Sequence, residues 1–131
     1  MTDLKTVPKA LRNWFVVHAV VDLLFGIPLM LMPVFTLELF GWQTMDVISA
    51  RVVAAALFGI GIESYIGRNA GREVFLGMLN LKIICSLAVI LGVSWSLLNN
   101  AQGAPMMGWV LVGVFLAFNF LWIYWRIKLK S

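Results

Sequence analysis

The chain has 131 residues, of which 62% are hydrophobic and only 12% charged, with ten Lys and Arg against six Asp and Glu. Soluble domains run at about 45–50% apolar and about 25% charged, so this chain has too few charges to clothe a water-soluble surface. The composition excludes a nucleic-acid-binding domain, a disulfide scaffold and a disordered tail, and implies one integral membrane domain spanning residues 1–131.

Taken from the N-terminus, a polar, basic stretch bearing Lys5, Lys9 and Arg12 precedes an apolar run over 13–32. That run is longer than a signal-peptide core and lacks a plain small-residue cleavage site, so it reads as a retained first span. Within it His18 and Asp22 are four apart and share a helix face. Pro28 removes a backbone donor and predicts a kink near Gly26–Pro28. Pro33–Trp42 is too short to cross again, carries Glu38, and suits a segment lying along the outer interface.

A second apolar run covers 47–67 and contains Arg51 and Glu63. After a basic turn with Arg68 and Arg72, a third covers 74–98 and holds Lys82 and the single cysteine, Cys85, which excludes an intrachain disulfide. The fourth, over 106–125, contains Asn119 and ends in Arg126, Lys128 and Lys130. About 20 apolar residues in helix cross a hydrocarbon core about 30 Å thick, and none of these runs has the period-two alternation of a barrel strand. The expected fold is therefore an all-α integral membrane bundle of four transmembrane helices. Small residues four apart at Ala55/Gly59, Ala88/Gly92 and Gly113/Ala117 predict sites of close helix approach.

Eight of the ten basic residues fall before the first span, in the turn between the second and third, or after the fourth. The other two connections carry no Lys or Arg. The excess of basic residues on one side places both termini in the cytoplasm, and the net charge of +4 then reports orientation more than a partner. All six tryptophans fall near a predicted membrane–water boundary, Trp14, Trp122 and Trp125 at the inner one and Trp42, Trp95 and Trp109 at the outer, which predicts an anchoring role.

Charge inside a membrane costs at least about 2.5–3.5 kcal/mol per residue at the span centre, so such residues face the bundle interior or water. With about 1.5 Å of rise per residue, Glu63 lies about 6 Å from the cytoplasmic boundary, His18 about 8 Å, Asn119 about 9 Å, Lys82 about 12 Å and Asp22 about 14 Å, while Arg51 lies about 6 Å from the opposite boundary. His18, Asp22, Glu63, Lys82 and Asn119 are the candidate ligand or proton site. Two pairings are expected: Lys82 with Glu63, one helical turn apart in height, and Arg51 with Asp22 as a structural ion pair. No nucleophile–base–orienter set and no metal-ligand cluster is visible, so neither an enzyme nor a cofactor protein is expected.

Leu39-Phe40-Gly41-Trp42, followed by the run from Arg51 to Ile62 and a basic turn, resembles a pattern in small prokaryotic four-span membrane proteins, DoxX-like ones among them. The resemblance covers about half the chain. It implies a four-helix bundle in a prokaryotic cytoplasmic membrane, carries over no active residues, and admits a place beside a respiratory or redox complex. The functional expectation is a membrane protein that binds or transports a small apolar or amphipathic, lipid-like molecule at a polar site between its helices, in contact with membrane lipids and as a homo-oligomer. The alternative is an accessory or assembly subunit whose intramembrane charges are structural.

Overall fold

A computed structural model describes residues 6–130; Lys5, one of the basic residues ahead of the first span, lies outside them. The described residues form five α-helices and no strand: α1 (Lys9–Leu31), α2 (Pro33–Leu39), α3 (Val47–Ile66), α4 (Arg72–Leu98) and α5 (Met106–Lys130). All but α2 are long and apolar enough to cross a membrane, as the composition requires. Helices α1 and α5 overrun the apolar runs at Lys9 and at Lys130, because hydropathy marks the lipid-matched core of a helix and not its polar end turns.

Local chemistry sets the boundaries. Helix α1 continues through Pro28 and stops at Met32, where the residue before Pro33 is barred from helical backbone. Pro33 then opens α2 from a position where its missing N–H costs nothing. Asp46 caps α3: its Oδ1 accepts from the backbone N–H groups of Ile48 (3.0 Å) and Ser49 (3.2 Å), and its Oδ2 from the Ser49 hydroxyl at 2.8 Å. At the turn from α3 to α4, Arg12 donates to the carbonyls of Arg68 (2.7 Å) and Ala70 (2.9 Å), tying the start of α1 to it.

Helix α1 packs along α3 and α4 along α5, giving two antiparallel pairs. The pairs meet at the end that bears the termini, where Leu11, Phe15, Phe75, Leu79, Trp122 and Leu129 form a buried core with Val7. Phe15 stacks on Phe75 at 4.4 Å between centroids and meets the edge of Trp122 at 5.7 Å. Toward the loop end no such core joins the pairs; Leu29, Ala50 and Ala54 seal α1 against α3 alone. An aromatic core joins the pairs at the terminal end, while at the other end the loops between α2 and α3 and between α4 and α5 meet.

Two sequence expectations are corrected here. Close approach does not use the small-residue pairs, for Gly59, Gly92 and Gly113 have open space where a Cβ would stand. Tight approaches fall instead at Gly61, where a Cβ would stand 2.8 Å from the Asp22 Cβ, at Gly26 against Phe58 (2.9 Å) and at Gly108 against Leu97 (2.8 Å). Nor is Trp122 a boundary anchor: it is 1% exposed and belongs to the core. Trp95, at 72% exposed, stands free of the packing.

Candidate functional site

Between the pairs lies a cavity of about 460 Å³ lined by all four long helices. It runs from His18, Asp22, Lys82 and Trp122 to Trp42, Thr44 and Gln102 in the loops. Along α4 the stretch from Lys82 to Val93 that lines it is about 16 Å long. Its walls are mostly Val, Leu, Ile and Phe side chains, among them Leu57, Val89 and Phe115, with Thr36, Ser49 and Cys85 between them and Asp46 toward the loops.

A polar floor closes the cavity above the aromatic core. The Lys82 ammonium donates to His18 Nδ1 at 2.6 Å and to the Ser64 hydroxyl at 2.5 Å. It also stands over the rings of Phe15 (4.7 Å) and Trp122 (5.1 Å), so two aromatic faces stabilise the charge. The other imidazole nitrogen, Nε2, lies 3.4 Å from Asp22 Oδ1. An ammonium donating to Nδ1 assigns the proton of a neutral imidazole to Nε2, so His18 links Lys82 to Asp22 in line. The Ser64 hydroxyl in turn donates to the Ile60 carbonyl at 2.6 Å. Beside this chain Asn119 donates to the Ser86 hydroxyl (2.8 Å) and to the Ile83 carbonyl (3.1 Å).

Helix geometry explains the convergence. Buried positions on α1 fall at Leu11, Phe15, Ala19, Asp22, Gly26 and Leu29, and on α4 at Phe75, Leu79, Lys82 and Ser86. Steps of three and four keep them on one face, and the polar members occupy the same stripe as the core. Asp22, Lys82, Ser64, Ser86 and Asn119 are all at most 6% exposed.

Of the sequence-predicted residues, His18, Asp22 and Lys82 stand in one linked chain, and Asn119 is buried beside it through Ser86. Glu63 is not among them. It is exposed on α3, because one helical position is a turn of about 100° and it is Ser64 that faces Lys82. The Arg51–Asp22 pair is likewise not formed. Arg51 is exposed and donates through Nε to the Met30 carbonyl at 3.1 Å, about 12 Å along α1 from Asp22. The antiparallel register that sets Gly61 against Asp22 puts Arg51 near the loop end. Sequence reasoning missed Ser64, Ser86 and the aromatic bed of Phe15 and Trp122. One signal was available: Ser86 is four residues from Lys82, on its face.

At the loop end, Gln102 Oε1 accepts from the backbone N–H groups of Gln43 (2.7 Å) and Thr44 (2.8 Å), and its Nε2 donates to Thr44 Oγ1 at 2.9 Å. The α4–α5 loop is thus fastened across the gap between the helix pairs. Gln102 holds this position with φ at 54°, in the left-handed region. Among the described residues no group of three or more His, Cys, Asp or Glu side chains is placed to hold a metal ion.

Fold and cavity together define an integral membrane helix bundle with a pocket inside it. No family model matches the chain, nor does any curated protein or solved structure.

Proposed function

We propose that the protein binds a small, mostly apolar molecule in the cavity between its helix pairs, with the ligand's polar end against the His18–Asp22–Lys82 floor. The observation that carries this reading is the pairing of an apolar volume of about 460 Å³ with a charged floor at one end of it. Ligand pockets are commonly about 300–1,000 Å³, lined by apolar and aromatic groups with a few placed polar ones. Binding is favoured over passage because the aromatic core beneath the floor closes the terminal end.

In our reading the termini face the cytoplasm of a prokaryotic cell and the cavity mouth faces out. The support is the crowding of Lys and Arg at the terminal end: Arg12, Arg68, Arg72, Arg126 and Lys128 all stand there, with none in the loops at the mouth.

The test is native mass spectrometry of protein released from a mild detergent, with extraction of whatever remains bound. Wild-type protein is expected to carry a small apolar species at about one copy per chain. Val89→Trp, which fills the cavity from α4, is expected to lose it. Equal retention by both proteins, or none by either, would contradict the reading.

A further inference from the structure

Counting hydrogen bonds in the floor shows which partner it lacks. Lysine has three N–H groups: one goes to His18, one to Ser64, and the ammonium is otherwise enclosed by the Phe15 and Trp122 rings. Ser64, Ser86 and Asn119 each donate to a protein acceptor. The floor therefore keeps one spare donor, the third N–H of Lys82. Asp22 is the opposite case: its Oδ2 is buried with no partner, and Oδ1 has only the 3.4 Å approach of His18. The one other buried side-chain atom without a partner among the described residues, Trp125 Nε1, does not line the cavity. An acceptor left unpaired in an apolar site is costly, more so when charged.

We infer that the ligand is a neutral molecule carrying a hydroxyl group on an apolar body, its O–H donated to the Asp22 carboxylate. This inference rests on the binding role proposed for the cavity and specifies its chemistry. The unpaired Oδ2 lies beside Gly61 at the crossing of α1 and α3; aspartate χ2 is a soft torsion, and a turn about it would bring that oxygen toward the cavity, which Asp22 lines. Charge selects the hydroxyl over an amine. Lys82 and Asp22 already balance, and a second ammonium would leave the buried floor with an uncompensated positive charge. A ligand whose polar end only accepts, such as an ether, can take the spare Lys82 N–H but leaves Asp22 unpaired, whereas a hydroxyl accepts from Lys82 and donates to Asp22.

The experiment titrates wild-type protein in lipid nanodiscs, against empty discs, with three probes that share a decyl chain: 1-decanol, decyl methyl ether and decylamine. A hydrogen bond to a charged acceptor is worth roughly tenfold or more in affinity, so decanol is expected to bind about tenfold tighter than the ether and tighter than the amine. Asp22→Ala is expected to erase the preference for decanol over the ether, while the wild-type comparison itself requires no variant to fold. Equal binding of alcohol and ether, or tighter binding of the amine, would overturn the hydroxyl assignment and leave the cavity as a binding site. Saturable binding of none of the probes would overturn both. A preference for decanol that survives in Asp22→Ala would overturn the role of Asp22.

Discussion

Lys82 is the residue on which the floor depends. Replacing it with Met keeps the volume but strips His18 Nδ1 and Ser64 of their donor and leaves Asp22 without a counter-charge. Losing these hydrogen bonds and the charge that Asp22 meets through His18 is destabilising, so Lys82→Met should unfold at lower temperature in detergent. An unchanged Tm would show that the ammonium is not held as described. Gly61 gives a steric counterpart: a methyl group there meets the Asp22 Cβ at 2.8 Å, so Gly61→Ala should cost about 1–3 kcal/mol by overpacking the crossing of α1 and α3. At this scale the sequence was legible where a residue is expensive. His18, Asp22, Lys82 and Asn119 drew notice because polar groups in a membrane must find partners. Ser64 did not, because its hydroxyl satisfies itself on the Ile60 carbonyl four residues back and can stand anywhere on an apolar helix at little cost. Glu63 was taken for its neighbour because depth can be counted from sequence, whereas the inward direction could not.

The same limit governs whole helices. Spans and loops follow from apolar length, and all four long helices stand where the apolar runs predict. Their facing sides do not follow, since a helix apolar all round has no stripe to read; the exposed small-residue pairs were misassigned for that reason. Where an element meets water, ordinary capping chemistry is visible again. The Ser49 hydroxyl, with the Ser49 and Ile48 backbone N–H groups, holds the Asp46 carboxyl below the usual carboxylate range. A pKa depressed by folding contributes stability above the unfolded carboxylate range, and that contribution is lost as pH falls through the folded value. Ser49→Ala should therefore move the Asp46 titration to higher pH and loosen the α3 cap at milder acidity, seen by NMR titration of the carboxyl carbon. A titration unmoved by the change would contradict the cap. The loop fastening makes a separate forecast. Gln102→Gly removes three hydrogen bonds but relieves a left-handed φ costing about 1 kcal/mol. Global stability should stay within about 1 kcal/mol, while the mouth opens and thiol reagents reach Cys85 faster. An unaltered labelling rate would show that the loops do not gate access.

For the whole molecule, composition implied a membrane bundle, and the arrangement of its packing adds what composition could not: one end closed by an aromatic core, the other divided into two helix pairs around a cavity. That asymmetry depends on large side chains at Phe15, Phe75 and Trp122 meeting across the pairs, and the spacing of aromatics along one helix carries no information about contacts between helices. Topology can be read independently, because a cysteine at the exposed Ala101 should react with an impermeant reagent only from outside the cell. The central claim is that the cavity is an accessible, ligand-sized space reached from the loop end alone, and the chain carries its own reporter for it: Cys85, the single cysteine, which lines the cavity. The rate of Cys85 modification by a small charged methanethiosulfonate, added to one side or the other of oriented membranes, tests the claim most directly. The account predicts reaction from the loop side, slowing strongly in Val89→Trp and with saturating 1-decanol, and none from the side of the termini. Reaction from the side of the termini, or a rate indifferent to Val89→Trp, would contradict it.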